Sequence, residues 1–281
     1  MRRAIGALAA GIIVLASGVA SASAAGAEAV PAGQVQVHVD GHRVTVDCTG
    51  TGAPTVILFS GFGDKHTIWA NIQRHLARHN RVCSYDRLGE GTSSKPHHIQ
   101  TLASNARLLH DVLAKIHVHG PLVLVGHSEG GDIAVVYART YRKQTAGLVT
   151  LDATPVGYLN FVLRLIPPSA KNALLKALRA EAVSVLTGHN RERVKLTDTN
   201  WAPAGALGNM PVAVVEHGID IFAGTGKYNH PLQNRWASGE FRLARLSTRS
   251  QVIIATRSGH YIYLDQPQLA LDVIRAVIAE S

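Results

Sequence analysis

Gly126-His127-Ser128-Glu129-Gly130 carries the strongest chemical signal in the chain. The apolar run 122–125 precedes it, and a helical pattern with Ile133, Val136 and Tyr137 follows it. A strand, a G-x-S-x-G pentapeptide and a helix in succession hold a serine hydroxyl at the tip of a sharp turn, where glycines at 126 and 130 avoid collision with neighbouring elements. That hydroxyl is a poor nucleophile at neutral pH until a base takes its proton, and histidine titrates in the range suited to the exchange. Of the 15 histidines, His260 follows the last apolar strand run and precedes the C-terminal helical pattern, which predicts it at the same sheet edge as Ser128. His127 reads as a support for the turn. His117 and His119 alternate like a metal pair but have no third ligand nearby, so they read as an exposed helix end. His97 and His98 read as loop residues.

The elements that must position these groups alternate along the chain. Residues 34–39 and 42–48 alternate apolar and polar side chains around Asp40 and Gly41, which predicts an antiparallel hairpin. Runs at 55–59, 81–85, 122–125, 147–151, 212–215 and 252–255 are rich in Val, Ile and Leu, as strands buried on both faces of a parallel sheet require. Between them, Leu102, Ala106, Leu109, Leu113 and Ile116 share one helical face, as do Trp69, Ile72 and Leu76, and Leu269, Val273 and Val277 after Pro267. The order predicts an α/β fold, one doubly wound, mostly parallel sheet. Residues 154–209 interrupt the rhythm after the sixth strand. They hold an apolar helical stretch at 158–166, a Pro167-Pro168 break, an amphipathic stretch at 170–186 and a looser tail through Trp201, which predicts a small helical cap over the sheet edge.

Composition excludes several classes. With 281 residues, 46% hydrophobic, 17% charged and only two cysteines, the chain is neither disordered nor a disulfide scaffold. Arg2 and Arg3, an apolar run at 4–19, and Ala22 and Ala24 spaced as A-x-A predict a secretory signal peptide over 1–24, cut near Ala24. The remainder, 25–281, is then expected to be a single domain, secreted or held in the cell envelope. The net charge of +9, part of which leaves with the signal peptide, reads first as a solubilising surface and second as one that would make weak contact with anionic envelope surfaces. No basic run interleaved with aromatics suggests nucleic acid. Cys48 and Cys83 are free to pair in an oxidising compartment, and the sequence leaves their state open.

Four motifs in order resemble those of the α/β-hydrolase superfamily, over about residues 34–279. Besides the serine turn, Phe59-Ser60-Gly61-Phe62-Gly63 is similar to the family's oxyanion loop, Tyr85-Asp86-Arg87-Leu88-Gly89-Glu90-Gly91-Thr92-Ser93 to its tight turn after the fourth strand, and Ser258-Gly259-His260 to its histidine loop. The resemblance implies oxyanion donors at the backbone N–H groups of Phe62 and Glu129. It also implies a buried carboxylate between Ser128 and His260 in the chain. Two aspartates qualify. Asp220 lies near the commoner family position, but in a G-x-D spacing one residue short of the usual one. Asp152 ends the sixth strand, where some members place their acid, and is the preferred of the two. The Tyr85 to Ser93 turn reads as structural, with Asp86 and Arg87 tying loops together. In the family's strand order, the strands carrying Cys48 and Cys83 are neighbours, which permits a disulfide.

The function implied is that of a serine hydrolase acting on a small-molecule carboxylic ester through an acyl-enzyme, with no metal or organic cofactor. A cofactor-free peroxidase, or an amide or C–C hydrolase, uses the same three residues. A catalytically silent binding protein is the reading from a different class.

Overall fold

The structure, a computed structural model, describes residues 32–196 and 203–281. The expected signal peptide and Trp201 lie outside the described residues. Eight strands form one sheet: β1 (Gly33–Val39), β2 (His42–Thr49), β3 (Thr55–Phe59), β4 (Val82–Tyr85), β5 (Leu122–His127), β6 (Thr145–Leu151), β7 (Pro211–His217) and β8 (Arg249–Ala255). Their spatial order is β1-β2-β4-β3-β5-β6-β7-β8. The β1–β2 hairpin and the β2–β4 pair are antiparallel, and every later pairing is parallel. This is the doubly wound, mostly parallel sheet that the alternating runs require.

The central strands β3, β5 and β6 are apolar on both faces because helices cover both. On one face, α2 (Leu102–Lys115) and α3 (Glu129–Thr140) pack Leu109, Leu113, Ile133 and Tyr137 against Ile57, Leu124 and Leu148. On the other, α1 (Ala70–Leu76) and α8 (Pro267–Glu280) pack Ile72, Leu76, Ile274 and Val277 against Val56, Val123 and Val149. A short helix, α7 (Ile262–Asp265), follows the histidine loop.

Two helices, α4 (Tyr158–Leu165) and α5 (Ala173–Thr187), stand between β6 and β7, close to the stretches expected for the cap. They pack on one another and on α6 (Asn229–Ala244), joining Tyr158, Val162, Leu175, Phe222, Leu232 and Trp236 in a third apolar cluster. The hydrophobic periodicity did not predict α6. Its sequence is polar, with Pro231 and Gly239 inside it, and of its five buried residues only Leu232, Trp236 and Leu243 are large and apolar.

Cys48 and Cys83 face each other across the antiparallel β2–β4 pair and form a buried disulfide. Closing a loop of 35 residues stabilises the fold by about 4 kcal/mol in the chain-entropy view. No helix of the described residues is long and apolar enough to cross a membrane.

Candidate active site

Ser128 stands between β5 and α3 with φ 51° and ψ −126°, a left-handed conformation that non-glycine residues rarely take. The flanking glycines are required by close approach. A Cβ at Gly126 would come within 2.5 Å of the Gly130 carbonyl oxygen, and one at Gly130 would press on the carbonyls of Phe59 and Ser60. The corner is pinned to the sheet edge by the Ser128 N–H, which donates to Leu151 O at 3.2 Å. The serine hydroxyl lies 3.4 Å from Thr154 Oγ1.

His260 follows β8, and its Nδ1 lies 2.6 Å from Asp152 Oδ2. A carboxylate only accepts, so Nδ1 carries a proton, and in the neutral ring Nε2 keeps a lone pair. Ser128 and His260 line one cavity of about 190 Å³. Asp152, at the end of β6, is fully buried and takes more than one donor. The His217 amide reaches Oδ1 at 3.1 Å, His217 Nδ1 lies 2.7 Å from the same oxygen, and Trp236 Nε1 donates to it at 3.0 Å. Burial by itself would raise this carboxyl's pKa, but the hydrogen bonds from His217 and His260 more than reverse that and hold it well below the usual range. His217 is fixed in turn by Gln233 of α6, whose amide lies 2.8 Å from His217 Nε2.

Asp220 is placed differently. It is exposed, accepts from the Phe222 N–H at 2.9 Å and from Asn229 Nδ2 at 2.5 Å, and so organises the turn between β7 and α6. The structure brings Asp152, and not Asp220, against His260.

His127 supports the turn. Its Nε2–H donates to the His260 carbonyl at 3.0 Å, which ties the serine corner to the histidine loop. Burial pushes its pKa down to about 3, so the ring is neutral and keeps this donor.

The loop that carries Phe62 is held from below. Arg87 donates to the Ser60 carbonyl and, at 2.6 Å, to the Gly61 carbonyl. Its remaining donors meet Glu192 in a forked, buried ion pair at 2.6 and 2.9 Å. Glu192 Oε1 also accepts from the Gly63 N–H at 2.8 Å. Asp86 holds His66 and the Thr92 amide, so this turn ties loops together as its sequence suggests. Glu192 comes from the tail of the insertion, and a charge in a loosely patterned stretch gave no signal of this role.

The Glu129 side chain is buried beside this network, and neither carboxylate oxygen has a hydrogen-bond partner among the described residues. Burial raises its pKa to about 8 against the pull of Arg87, so the group is mostly protonated at neutral pH. Its backbone N–H opens helix α3, the position expected of an oxyanion donor. His117 and His119 pair ring to edge at 6.3 Å, and no cluster of three metal-ligating side chains occurs among the described residues. His97 stacks on His42.

The cavity is otherwise apolar. Leu159 and Val162 of α4, Leu174 and Leu178 of α5, and Ile221, Phe222 and Trp236 wall it, with Tyr158 and Glu181 as further polar groups. Sequence reasoning missed His217, Trp236, Gln233 and Glu181. Trp236 alone had a signal, the apolar spacing it shares with Leu232 and Leu243.

A serine on a strained strand-to-helix corner opens into one cavity with a histidine whose far nitrogen is held by a buried carboxylate. On a mostly parallel sheet, this defines a hydrolase-type α/β protein with a serine as its candidate nucleophile. The family profile described as the alpha/beta hydrolase fold matches residues 54–262. The chain belongs to the α/β-hydrolase family.

Three relatives illustrate its range. An uncharacterised protein of Mycobacterium tuberculosis is 32% identical over 128 residues, covering 45% of this chain and 37% of the relative. The chain therefore matches well under half the length of that relative. A 2-hydroxy-6-oxo-2,4-heptadienoate hydrolase of Pseudomonas putida is 26% identical over 247 residues, covering 77% of this chain and 86% of the relative. The structure of a thermophilic esterase from Thermogutta terrifontis superposes with a TM-score of 0.63 at 20% identity, covering 89% of this chain and 99% of the other, a likeness of fold.

Proposed function

We propose that the chain is a secreted serine hydrolase that cleaves small carboxylic esters through an acyl-enzyme on Ser128. The observation that carries this reading is the 2.6 Å contact between His260 Nδ1 and Asp152, which leaves Nε2 as a base on the cavity that Ser128 shares. Ser128 Oγ attacks the ester carbonyl carbon while its proton passes to His260 Nε2. The carbonyl oxygen becomes an oxyanion, for which the N–H groups of Phe62 and Glu129 are the donors. Collapse breaks the bond to the alcohol, which leaves with the proton from His260. Water then repeats the steps, releases the acid and restores Ser128. Asp152 keeps the imidazole in the required tautomer and balances its charge when protonated.

The cavity favours an ester over the dienoate acid named for the Pseudomonas putida relative. Among the described residues no Lys or Arg lines it to receive a carboxylate. The Cys48–Cys83 disulfide supports the secreted reading, since such bonds persist in oxidising compartments.

The test is labelling with a fluorophosphonate probe alongside turnover of p-nitrophenyl esters of increasing chain length. Labelling that is lost in Ser128→Ala, with ester turnover that falls as the acyl chain outgrows the cavity, is the expected result. Folded protein showing neither would indicate a silent binding protein of the same fold.

A further inference from the structure

The cavity has an uneven distribution of polarity. At its catalytic end stand Ser128, His260 and Thr154; of two further polar groups, Tyr158 is buried among apolar side chains and Glu181 stands exposed at the rim. The Tyr158 hydroxyl is buried and has no hydrogen-bond partner among the described residues. The Glu181 carboxylate has neither a hydrogen-bond nor an ion-pair partner among the described residues. Its helix carries two cations, Lys176 and Arg179; Arg179 is committed to the carbonyls of Leu163 and Ile166 at 2.9 and 2.6 Å, and neither forms an ion pair with Glu181 among the described residues.

Three aromatic rings share the same cavity. Tyr158 and Trp236 meet edge to face at 4.8 Å between centroids, and Phe222 lies 6.2 Å from each. A carboxylate without a counter-ion at the rim of a cavity lined in part by three aromatic rings is complementary to a cation. Apolar leucines around it disfavour a strongly hydrated ammonium that needs a full set of acceptors. An alkylated ammonium, which has few or no N–H groups to satisfy, meets both conditions.

We propose that this pocket takes esters whose non-reacting end carries an alkylated ammonium group, with Glu181 as counter-charge and Tyr158, Phe222 and Trp236 as the aromatic faces. The inference rests on the ester-hydrolase reading for its turnover, but not for its binding. A cavity of about 190 Å³ suits a short chain on either side of the ester bond.

The test compares isosteric pairs. One pair is a choline ester and the 3,3-dimethylbutyl ester of the same short acid. The other is two p-nitrophenyl esters whose acyl chains end in trimethylammonio or tert-butyl. In at least one pair, kcat/KM is expected to favour the cation by about tenfold. The ratio should fall towards one in Glu181→Gln and invert in Glu181→Lys. A second arm uses Ser128→Ala protein and follows the broadening of the tetramethylammonium methyl resonance, which should weaken when Glu181→Gln is added.

Glu181-dependent binding without turnover of any ester would sustain this inference and overturn the hydrolase reading. Turnover with ratios near one in both pairs, or ratios unchanged in Glu181→Gln, would overturn this inference alone. Neither binding nor turnover would overturn both.

Discussion

The two sides of Ser128 are built by different means. On the histidine side, Asp152 ends β6, His217 ends β7, and Trp236 projects from α6, so the carboxylate that meets His260 is held by elements of the core. On the oxyanion side, Arg87 and Glu192 hold a loop, and Glu192 belongs to the inserted segment. Both networks are buried and hydrogen-bonded, which is the condition for charges to persist inside a protein. The difference is where their rigidity comes from. The base is oriented by the sheet, whereas the loop of Phe62 is oriented in part by the cap tail. The cap reaches the oxyanion loop through the Glu192 ion pair, and the base less directly, through the packing of Tyr158 on Trp236.

The largest expected effect lies on the histidine side. Asp152→Asn should lower kcat by about 10⁴-fold, because an amide does not impose the required tautomer on His260. Asp220→Asn should alter only its own turn and leave kcat within about threefold, as surface changes usually do. Steady-state kinetics on folded proteins checks both. A large loss in Asp220→Asn alone would reverse the assignment.

A smaller effect is expected on the oxyanion side. Glu192→Gln keeps an acceptor for the Gly63 N–H but leaves the buried Arg87 charge without its counter-ion, a loss of about 3 kcal/mol in stability. Because a displaced donor weakens mainly the transition state, kcat should fall by about tenfold to a hundredfold with KM little changed. Denaturant unfolding and a separate reading of kcat and KM would show this. An unchanged kcat would mean that the cap tail does not position the loop.

The smallest effect on catalysis is expected for the side chain of Glu129 beneath the same loop, which is read through stability instead. Its folded-state pKa, raised to about 8 from an ordinary 4.5, means that the folded protein holds a proton the unfolded chain releases. Its contribution is full below about pH 4.5 and is lost as pH rises through about 8. Glu129→Gln does not titrate, so its thermal midpoint relative to the wild type should climb between pH 5 and pH 9. A pH-independent difference would contradict the neutral assignment.

How much of this was legible in the sequence follows from what each feature depends on. The serine corner is local: strand, glycines and helix are contiguous, so type and place were both readable at Ser128. His260 was readable from chain order, since a residue just past a parallel strand falls on the edge where Ser128 stands. Between Asp152 and Asp220 the sequence offered a preference without a geometry. The deciding partners, His217 and Trp236, arrive from separate elements, one of them the polar helix α6 that periodicity did not show. The disulfide needed the knowledge that β2 and β4 are neighbours, which depends on the whole sheet. Glu192 meets Arg87 across 105 residues, so no local pattern pointed to it. The serine and histidine roles are thus local or ordinal, and the supports that hold them are long-range.

The most direct test of the account is rapid quenching of the enzyme with a p-nitrophenyl ester in hand, followed by mass spectrometry of the peptide that contains residue 128. The account predicts an added acyl mass on Ser128 that forms with the burst of p-nitrophenol and disappears as the ester is consumed. Ester turnover with no covalent adduct, or with the acyl group on another residue, would contradict it.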